Sequence, residues 1–434
     1  MGNHAQRAVV VAAGPDARAA ADLLLADGWQ VLQTDAGLRG LLDASLLVVD
    51  EWTAETAPHV VAARRAGVRV TVLAELIIER TPRRVVAITG TAGKTTTARL
   101  LAAMLAHGGM APLIAPQGRA ANAWPNASLL PGVLVDGGPL VAELTSTHLC
   151  YMDRWPGPDV AVVTNLWSDH IELHGSLAAY VSAKRRLLRR PDRPVVVNAD
   201  DRHGRALLGP PASDDLVWCS SAAAVPRGAW LEDRRLRIRW NGVADTVMTL
   251  APPQRWMHPT AIVAASAAAL ACGATPDAIA AGIAGASRLP HRFDEVGTVA
   301  GIRVIDDAMA ATPDKARAAI TRCDPATLVL IAGGDAEVDG RAVHADPASR
   351  AALEQTIDQA GGAAHLIAFG TAGARIADRC ASAVQVLTLA DAVDHAAARA
   401  CSGDTILLAP MFPMAQPQRA TFAEHMLQAL AGRQ

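Results

Sequence analysis

The sequence predicts an α/β protein built from three domains, each on a mostly parallel sheet. Short Val/Ile/Leu runs alternate with longer Ala/Leu/Arg stretches along the whole chain, the pattern of repeated strand–helix units. The length of 434 residues, at roughly 150 residues per domain, gives about three domains. Apolar residues make up 51% and charged residues 19%, which supplies large cores and excludes the disordered class.

The elements follow in order. Ala8–Ala12 reads as a strand and Asp16–Asp27 as the helix after it. The pattern recurs at Val85–Ile88 with Thr95–His107, and at Val160–Thr164 with Ser176–Arg190. Leu216–Trp240 reads as a β excursion. The last third repeats the alternation with strands at Thr327–Ile331, His365–Phe369, Val384–Leu387 and Thr405–Leu408. The charged stretch at Glu79–Arg84 and the turn at Ser287–Arg292 mark the boundaries, so the domains are expected at 1–82, 83–290 and 291–434.

Composition narrows the function classes. A net charge of −2 argues against a broad nucleic-acid surface. No run approaches the roughly 18 apolar residues of a membrane span, and the N-terminal residues run straight into a strand with no signal peptide expected. The six cysteines are scattered without a CxxC pair, which excludes a zinc ribbon and suits a reducing, cytoplasmic setting. The 40 basic residues include only three lysines, Lys94, Lys184 and Lys315. A lysine surviving such arginine bias raises the question of what arginine could not do there.

Three segments carry chemistry. In VVAITGTAGKTTTARLLAAML, residues 85–105, a buried strand meets a tight loop and then a helix. Gly90 and Gly93 let the backbone approach a phosphate, with Thr91 between them, and the helix N-terminus at Thr95 and Thr96 holds the anion. Lys94 reaches the outer phosphates and Thr95 a Mg²⁺ ion. Ile88 stands where a full phosphate-loop pattern has its first glycine. In GPLVAELTSTHL, residues 138–149, Glu143 ends a strand, where ligands of parallel sheets gather, and is a candidate Mg²⁺ ligand. In residues 161–188, Asn165, Asp169 and His170 follow another strand. Tyr180 and Lys184 then share a helix face. A desolvated lysine can be neutral and take up CO₂ as a carbamate, which arginine cannot. The carbamate is a carboxylate equivalent able to bind Mg²⁺.

TGTAGKTTT, VAELTSTHL, TNLWSDHIELHG with Tyr180 and Lys184, VVNADD, SRLPHRFDEV, GIRVIDDAMAATP and LIAGGDAEVDG, in this order, resemble the Mur ligase superfamily. The short first domain leading directly into the phosphate loop resembles its D-glutamate-adding, MurD type. The resemblance implies a Rossmann-like N-terminal domain for the carboxylate donor, a central P-loop ATPase domain and a Rossmann-like C-terminal domain that closes on ATP and binds the amine. It implies an ATP-dependent ligase: a carboxylate is activated as an acyl phosphate and joined to an amine, releasing ADP and phosphate. Lys94, Glu143, His170 and Lys184 would be catalytic, with Thr95 and Glu143 on one Mg²⁺ and His170 and carbamylated Lys184 on a second. Asn165, Arg292 and Asp307 would join the phosphate loop in binding ATP. Asp35, Thr145, His148, Met309, Glu337, Met414 and Phe422 would line the substrate sites. The expected partners are a small-molecule carboxylate, in the family a UDP-sugar conjugate, and an amine. Neither nucleic acid nor membrane is expected, and the protein is expected to be a monomer.

The pattern is not followed throughout. The adenine-contacting H-N-x-x-N becomes His258-Pro259-Thr260-Ala261-Ile262. The first domain has Glu51-Trp52-Thr53 in place of Ser-Pro-Gly, and the GNIG segment is degraded to something near Gln117–Asn122. Where the MurD type holds glutamate with D-S-K-A-T-N, this chain has Asp307-Ala308-Met309-Ala310-Ala311-Thr312. Gly333-Gly334-Asp335-Ala336-Glu337 replaces a lysine by an acid, and Met411, Phe412 and Met414 stand where small polar residues are expected. An apolar or cationic amine other than D-glutamate is expected, unless Arg341 or Arg419 restores the lost cations. The alternatives are an ordinary glutamate-adding ligase, a folylpolyglutamate-synthase-like ligase and a non-catalytic nucleotide-binding paralogue.

Overall fold

A computed structural model describes residues 6–11, 15–34, 41–115, 130–190, 192–209, 215–241, 243–250, 257–338 and 340–432. The chain divides into two compact units, residues 1–286 and 287–434. The first unit carries two sheets. The smaller holds β1 (Arg7–Val11), β2 (Gln30–Gln33), β3 (Leu46–Val49) and β4 (Arg69–Thr71) in the order β2-β1-β3-β4, all parallel. Order reverses between β1 and β3, so a crevice is expected beyond their carboxyl ends.

The larger sheet contains β5 (Val85–Thr89), β6 (Leu113–Ala115), β7 (Leu140–Glu143), β8 (Val160–Val163), β9 (Val195–Asn198), β10 (Leu216–Ser220), β11 (Gly228–Glu232), β12 (Arg235–Trp240) and β13 (Val243–Thr249). Its order is β13-β12-β11-β10-β9-β8-β5-β7-β6. Pairing is parallel from β6 to β11 and antiparallel for the β11–β12–β13 meander, the β excursion read in the sequence. β5 shows why such strands read as continuous apolar runs. Val85 and Ala87 face one core while Val86 and Ile88 face another, so both pleat faces are covered.

The core that takes Val85 and Ala87 also contains Val9, Leu47 and Ile77, so it runs through both lobes of this unit. Polar contacts reinforce the seam. Buried Glu75 accepts hydrogen bonds from the backbone N–H groups of Arg154 (3.1 Å) and Trp155 (3.0 Å), and the Tyr151 hydroxyl donates to the Thr53 carbonyl at 2.7 Å.

The second unit has β14 (Asp294–Val299), β15 (Ile302–Asp306), β16 (Leu328–Gly333), β17 (Glu337–Val338), β18 (Arg341–Ala342), β19 (His365–Phe369), β20 (Val384–Gln385) and β21 (Thr405–Met411). Its main sheet runs β14-β15-β21-β16-β19-β20, parallel except for the β14–β15 hairpin, and β17–β18 form a separate ribbon. No helix among the described residues is long and apolar enough to cross a membrane.

Candidate active site

The centre of the site is the turn after β5. Gly90 has φ 151°, and a Cβ there would lie 1.9 Å from Thr164 Oγ1, so only glycine fits. Gly93 is the N-cap of helix Lys94–His107, in the left-handed region at φ 83°, a conformation glycine takes at little cost. The helix therefore opens with its N–H groups directed at the loop, an anion-binding geometry.

Neighbouring strands hold the loop. Asn165 Oδ1 accepts from the N–H groups of Thr91 (3.1 Å) and Ala92 (2.8 Å), and its Nδ2 donates to the Ala92 carbonyl at 3.1 Å. The Thr91 hydroxyl lies 2.7 Å from the Tyr180 hydroxyl and accepts from Trp167 N–H at 2.8 Å. Asn165 was expected to contact the nucleotide. Its amide hydrogen-bonds the loop backbone and so holds the loop's shape. Thr96 lies in the first turn of the helix, half-buried.

Both lysines of this unit converge on one carbonyl. Lys94 Nζ donates to the Gly90 carbonyl at 2.8 Å. Lys184 Nζ donates to the same carbonyl at 3.1 Å and to Thr89 Oγ1 at 3.2 Å. Lys184 is 1% exposed and its ammonium lies 4.9 Å from the centroid of the Tyr180 ring. Thr95 Oγ1 donates to Glu143 Oε2 at 2.8 Å. This hydroxyl–carboxylate pair offers hard oxygen donors suited to Mg²⁺. His170 adopts φ 53°. Its ring nitrogens lie 3.7 Å from Asp169 and 3.4 Å from Glu172, and the Trp52 ring packs edge-on at 5.6 Å.

A second feature lies beyond the carboxyl ends of β1 and β3. A small cleft there is lined by Asp16, Val48, Asp50, Glu51, Leu73 and His148, among others. Thr145 caps helix Ser146–Leu149, and its backbone N–H donates to His148 Nδ1 at 3.2 Å. His148 Nε2 lies 2.7 Å from Glu51 Oε2. Burial, then the charges of Glu51 and Asp50, push the Asp16 carboxyl up to about 6. The sequence reading missed this acidic wall, because its members are far apart in sequence. Asp35 and the Gln117–Asn122 segment lie outside the described residues. His258 caps helix Pro259–Ala271 by accepting from Thr260 N–H at 3.3 Å.

In the second unit, Asp307 follows β15 and accepts from Phe293 N–H at 2.9 Å. Burial lifts its carboxyl to about 7 against the opposing pull of Arg292 and Arg322. His291 Nδ1 lies 2.7 Å from Asp306 Oδ2; that hydrogen bond raises the imidazole above its ordinary range. Met309 is half-buried, and Arg419 Nη1 lies 3.4 Å from its sulfur while Arg419 Nε donates to the Met414 carbonyl at 3.1 Å. The sequence reading favoured a neighbourhood without cations; of its two alternatives, Arg419 is at Met309 and Arg341 is in the exposed β17–β18 ribbon. Two residues expected in the amine pocket are not surface groups. Phe422 is 0% and Met414 4% exposed, both within one hydrophobic core. Phe422 is drawn inside because its helix, Gln416–Ala431, packs on β14 and β15. Glu337 is exposed in the ribbon.

Comparison with known proteins decides the family. The Mur ligase middle domain matches residues 88–226 and the Mur ligase, glutamate ligase domain matches residues 291–412. A UDP-N-acetylmuramoylalanine–D-glutamate ligase of Frankia casuarinae is 33% identical over 93% of this chain and 88% of its own.

The chain belongs to the Mur ligase family.

A second such ligase, from Acidobacterium capsulatum, is 28% identical over 88% of this chain and 81% of its own. Mur ligases are ATP-dependent C–N ligases, and this chain is one of them. Solved structures share the fold at low identity. A pseudomurein peptide ligase type C from Methanothermus fervidus aligns with a TM-score of 0.62 at 14% identity, over 97% of this chain and 99% of its own. MurF ligase from Thermotoga maritima in complex with ADP aligns with a TM-score of 0.62 at 17% identity, over 99% of this chain and 97% of its own. Those neighbours have three-domain architecture.

Proposed function

We propose that this Mur ligase, a monomeric cytoplasmic enzyme, activates a donor carboxylate as an acyl phosphate and couples it to an amino acid other than D-glutamate. The observation that carries the ATP-using half is the convergence of Lys94, Lys184 and the Thr95–Glu143 pair on the loop at Gly90. Lys94 and the helix N-terminus bind the phosphates. Thr95 and Glu143 would hold one Mg²⁺, and His170 with carbamylated Lys184 a second. Such ions neutralise charge that develops on the transferring phosphoryl group. Asn165 and Tyr180 keep the loop in its phosphate-binding shape. Arg292 and Asp307 serve the nucleotide from the second unit.

The acceptor reading rests on Arg419. It is a half-buried guanidinium beside Met309, in the first turns of the last helix. One planar cation pairs well with one carboxylate. The second carboxylate of glutamate would need a cation of its own beside Met309, and stranding a charge without one costs several kcal/mol. A monocarboxylate with an apolar side chain suits this lining, with methionine as an adaptable neighbour.

The donor reading rests on the cleft. Asp16, Asp50 and Glu51 repel a diphosphate, which favours a donor whose handle there is uncharged over a UDP-sugar. The test is ADP and phosphate release with pairs of carboxylates and amines. UDP-N-acetylmuramoyl-L-alanine is compared with carboxylates lacking a nucleotide, and D-glutamate with neutral amino acids. Higher kcat/KM for a neutral amino acid is expected. A clear preference for D-glutamate would restore the activity for which the Frankia relative is named.

A further inference from the structure

Away from the phosphate loop, three side chains meet at the seam between the two lobes of the first unit. Glu55 comes from the segment before helix Pro58–Arg65, Cys150 ends helix Ser146–Leu149, and His174 ends helix Ile171–His174. One metal-binding atom of each lies within 4.8 Å of the other two. Glu55 Oε1 is 3.2 Å from His174 Nδ1. Ligands about 2.0–2.1 Å from a tetrahedral ion stand roughly 3.3 Å apart, so this pair already has the spacing of one edge. Cys150 is 3% and His174 5% exposed. The nitrogen that shares this edge with Glu55 is Nδ1, and an imidazole–carboxylate hydrogen bond does not account for the buried thiol that completes the group.

We propose that Glu55, Cys150 and His174 form a binding site for zinc or a similar borderline-soft divalent cation, separate from the oxygen-lined Mg²⁺ positions at Thr95 and Glu143. The donor set is sulfur, nitrogen and oxygen, which selects zinc over magnesium. Binding replaces the S–H bond of Cys150 with an S–metal bond and releases that proton to solvent, while the His174 imidazole binds through Nδ1 as the tautomer that carries its proton on Nε2. In the metal-free protein the thiol donates to the Thr147 carbonyl at 3.2 Å, and burial pushes its ionisation up, so the cation itself must draw off the proton. Arg64 supports the set: Nη1 bonds Glu55 Oε2 at 3.1 Å and Nη2 donates to the Cys150 carbonyl at 3.2 Å. Such outer contacts orient ligands and tune affinity. The site ties Glu55 of the first lobe to Cys150 and His174 of the central lobe. It thereby anchors the segment that carries Trp52 against His170. Its role is structural, and phosphate release does not require it.

The test uses the full-length protein with saturating Mg²⁺, so that the oxygen sites are filled. Zinc retained after dialysis is measured by elemental analysis, and cobalt(II) is substituted to look for thiolate-to-metal charge-transfer absorption. The expected result is one retained equivalent of zinc, a cobalt–thiolate band, and a Tm that rises with zinc. Cys150→Ser and His174→Gln should abolish the band and the Tm response. Wild-type protein with neither retained zinc nor a cobalt–thiolate band would overturn the proposal. A band that survives Cys150→Ser would also overturn it, by placing the metal on another thiol such as exposed Cys401. If those buried substitutions prevent folding, Glu55→Gln decides: zinc affinity should drop at least about tenfold, and unchanged affinity sinks the site.

Discussion

Lys184 is the side chain for which arginine bias and geometry agree most closely. Its ammonium is buried under the phosphate loop, where a guanidinium would need several more acceptors. Lys184→Ala should lose most ligase activity and regain part of it with added short-chain carboxylates, which stand in for the carbamate. Lys184→Arg should not substitute. Full activity of the alanine variant without additive would remove the carbamate from the mechanism. Asp307 makes a different prediction. Its folded pKa, about 7, lies above the unfolded carboxylate value, so the native state binds more protons between about pH 4 and pH 7. Its contribution to stability therefore falls as pH rises through that window, and the penalty is fully present above it. Asp307→Asn should raise Tm at pH 8 and have little effect below pH 4. Equal Tm gains at both pH values would mean that the carboxyl is not held protonated by its surroundings.

The strand–loop–helix element from Val85 to His107 works as a unit, and its shape is imposed from outside. Gly90 lies against Thr164, while Asn165 satisfies the loop's own N–H groups. Gly90→Ala must shift the loop or Thr164. A displacement of about 1 Å at the phosphates costs on the order of 100-fold in kcat. Asn165→Ala leaves the Ala92 N–H without its side-chain partner and should cost about 1–3 kcal/mol of stability. It should also raise KM for ATP by loosening the loop. Unfolding curves and ATP titrations of the two variants separate these effects. Gly90→Ala should lower kcat and stability together, because its Cβ must displace Thr164, and a variant with wild-type kcat would contradict the loop's role.

At the level of the whole chain, the first compact unit ends at Ala286 and the second begins at Ser287. The proposed nucleotide ligands are split across that joint, with Lys94 before it and Arg292 and Asp307 after it. Saturating non-hydrolysable ATP analogue with the donor should therefore reduce the radius of gyration in small-angle scattering. Closure would keep water from an acyl phosphate. An unchanged radius under saturating ligand would mean that ATP binding needs no rearrangement of the units.

Much of this molecule was legible in one dimension because its signals are local. The alternation of buried strand and helix, the GTAGKTTT loop and Glu143 at its strand end need only neighbours in sequence to be read. The rarity of lysine singled out Lys184 before any contact was known. What stayed hidden depends on distant segments packing together. The hydrogen bonds that tie the Asn165 amide to a loop more than 70 residues earlier had no signal in the sequence. Phe422 looked like a pocket residue, but its helix faces the sheet and the ring is sealed in the core. Arg419 reaches Met309 across 110 positions, and Glu55, Cys150 and His174 meet only where two lobes share a core. Periodicity is set by backbone geometry within a few residues, whereas the partner of a given side chain is chosen by how whole elements bury their apolar faces against each other.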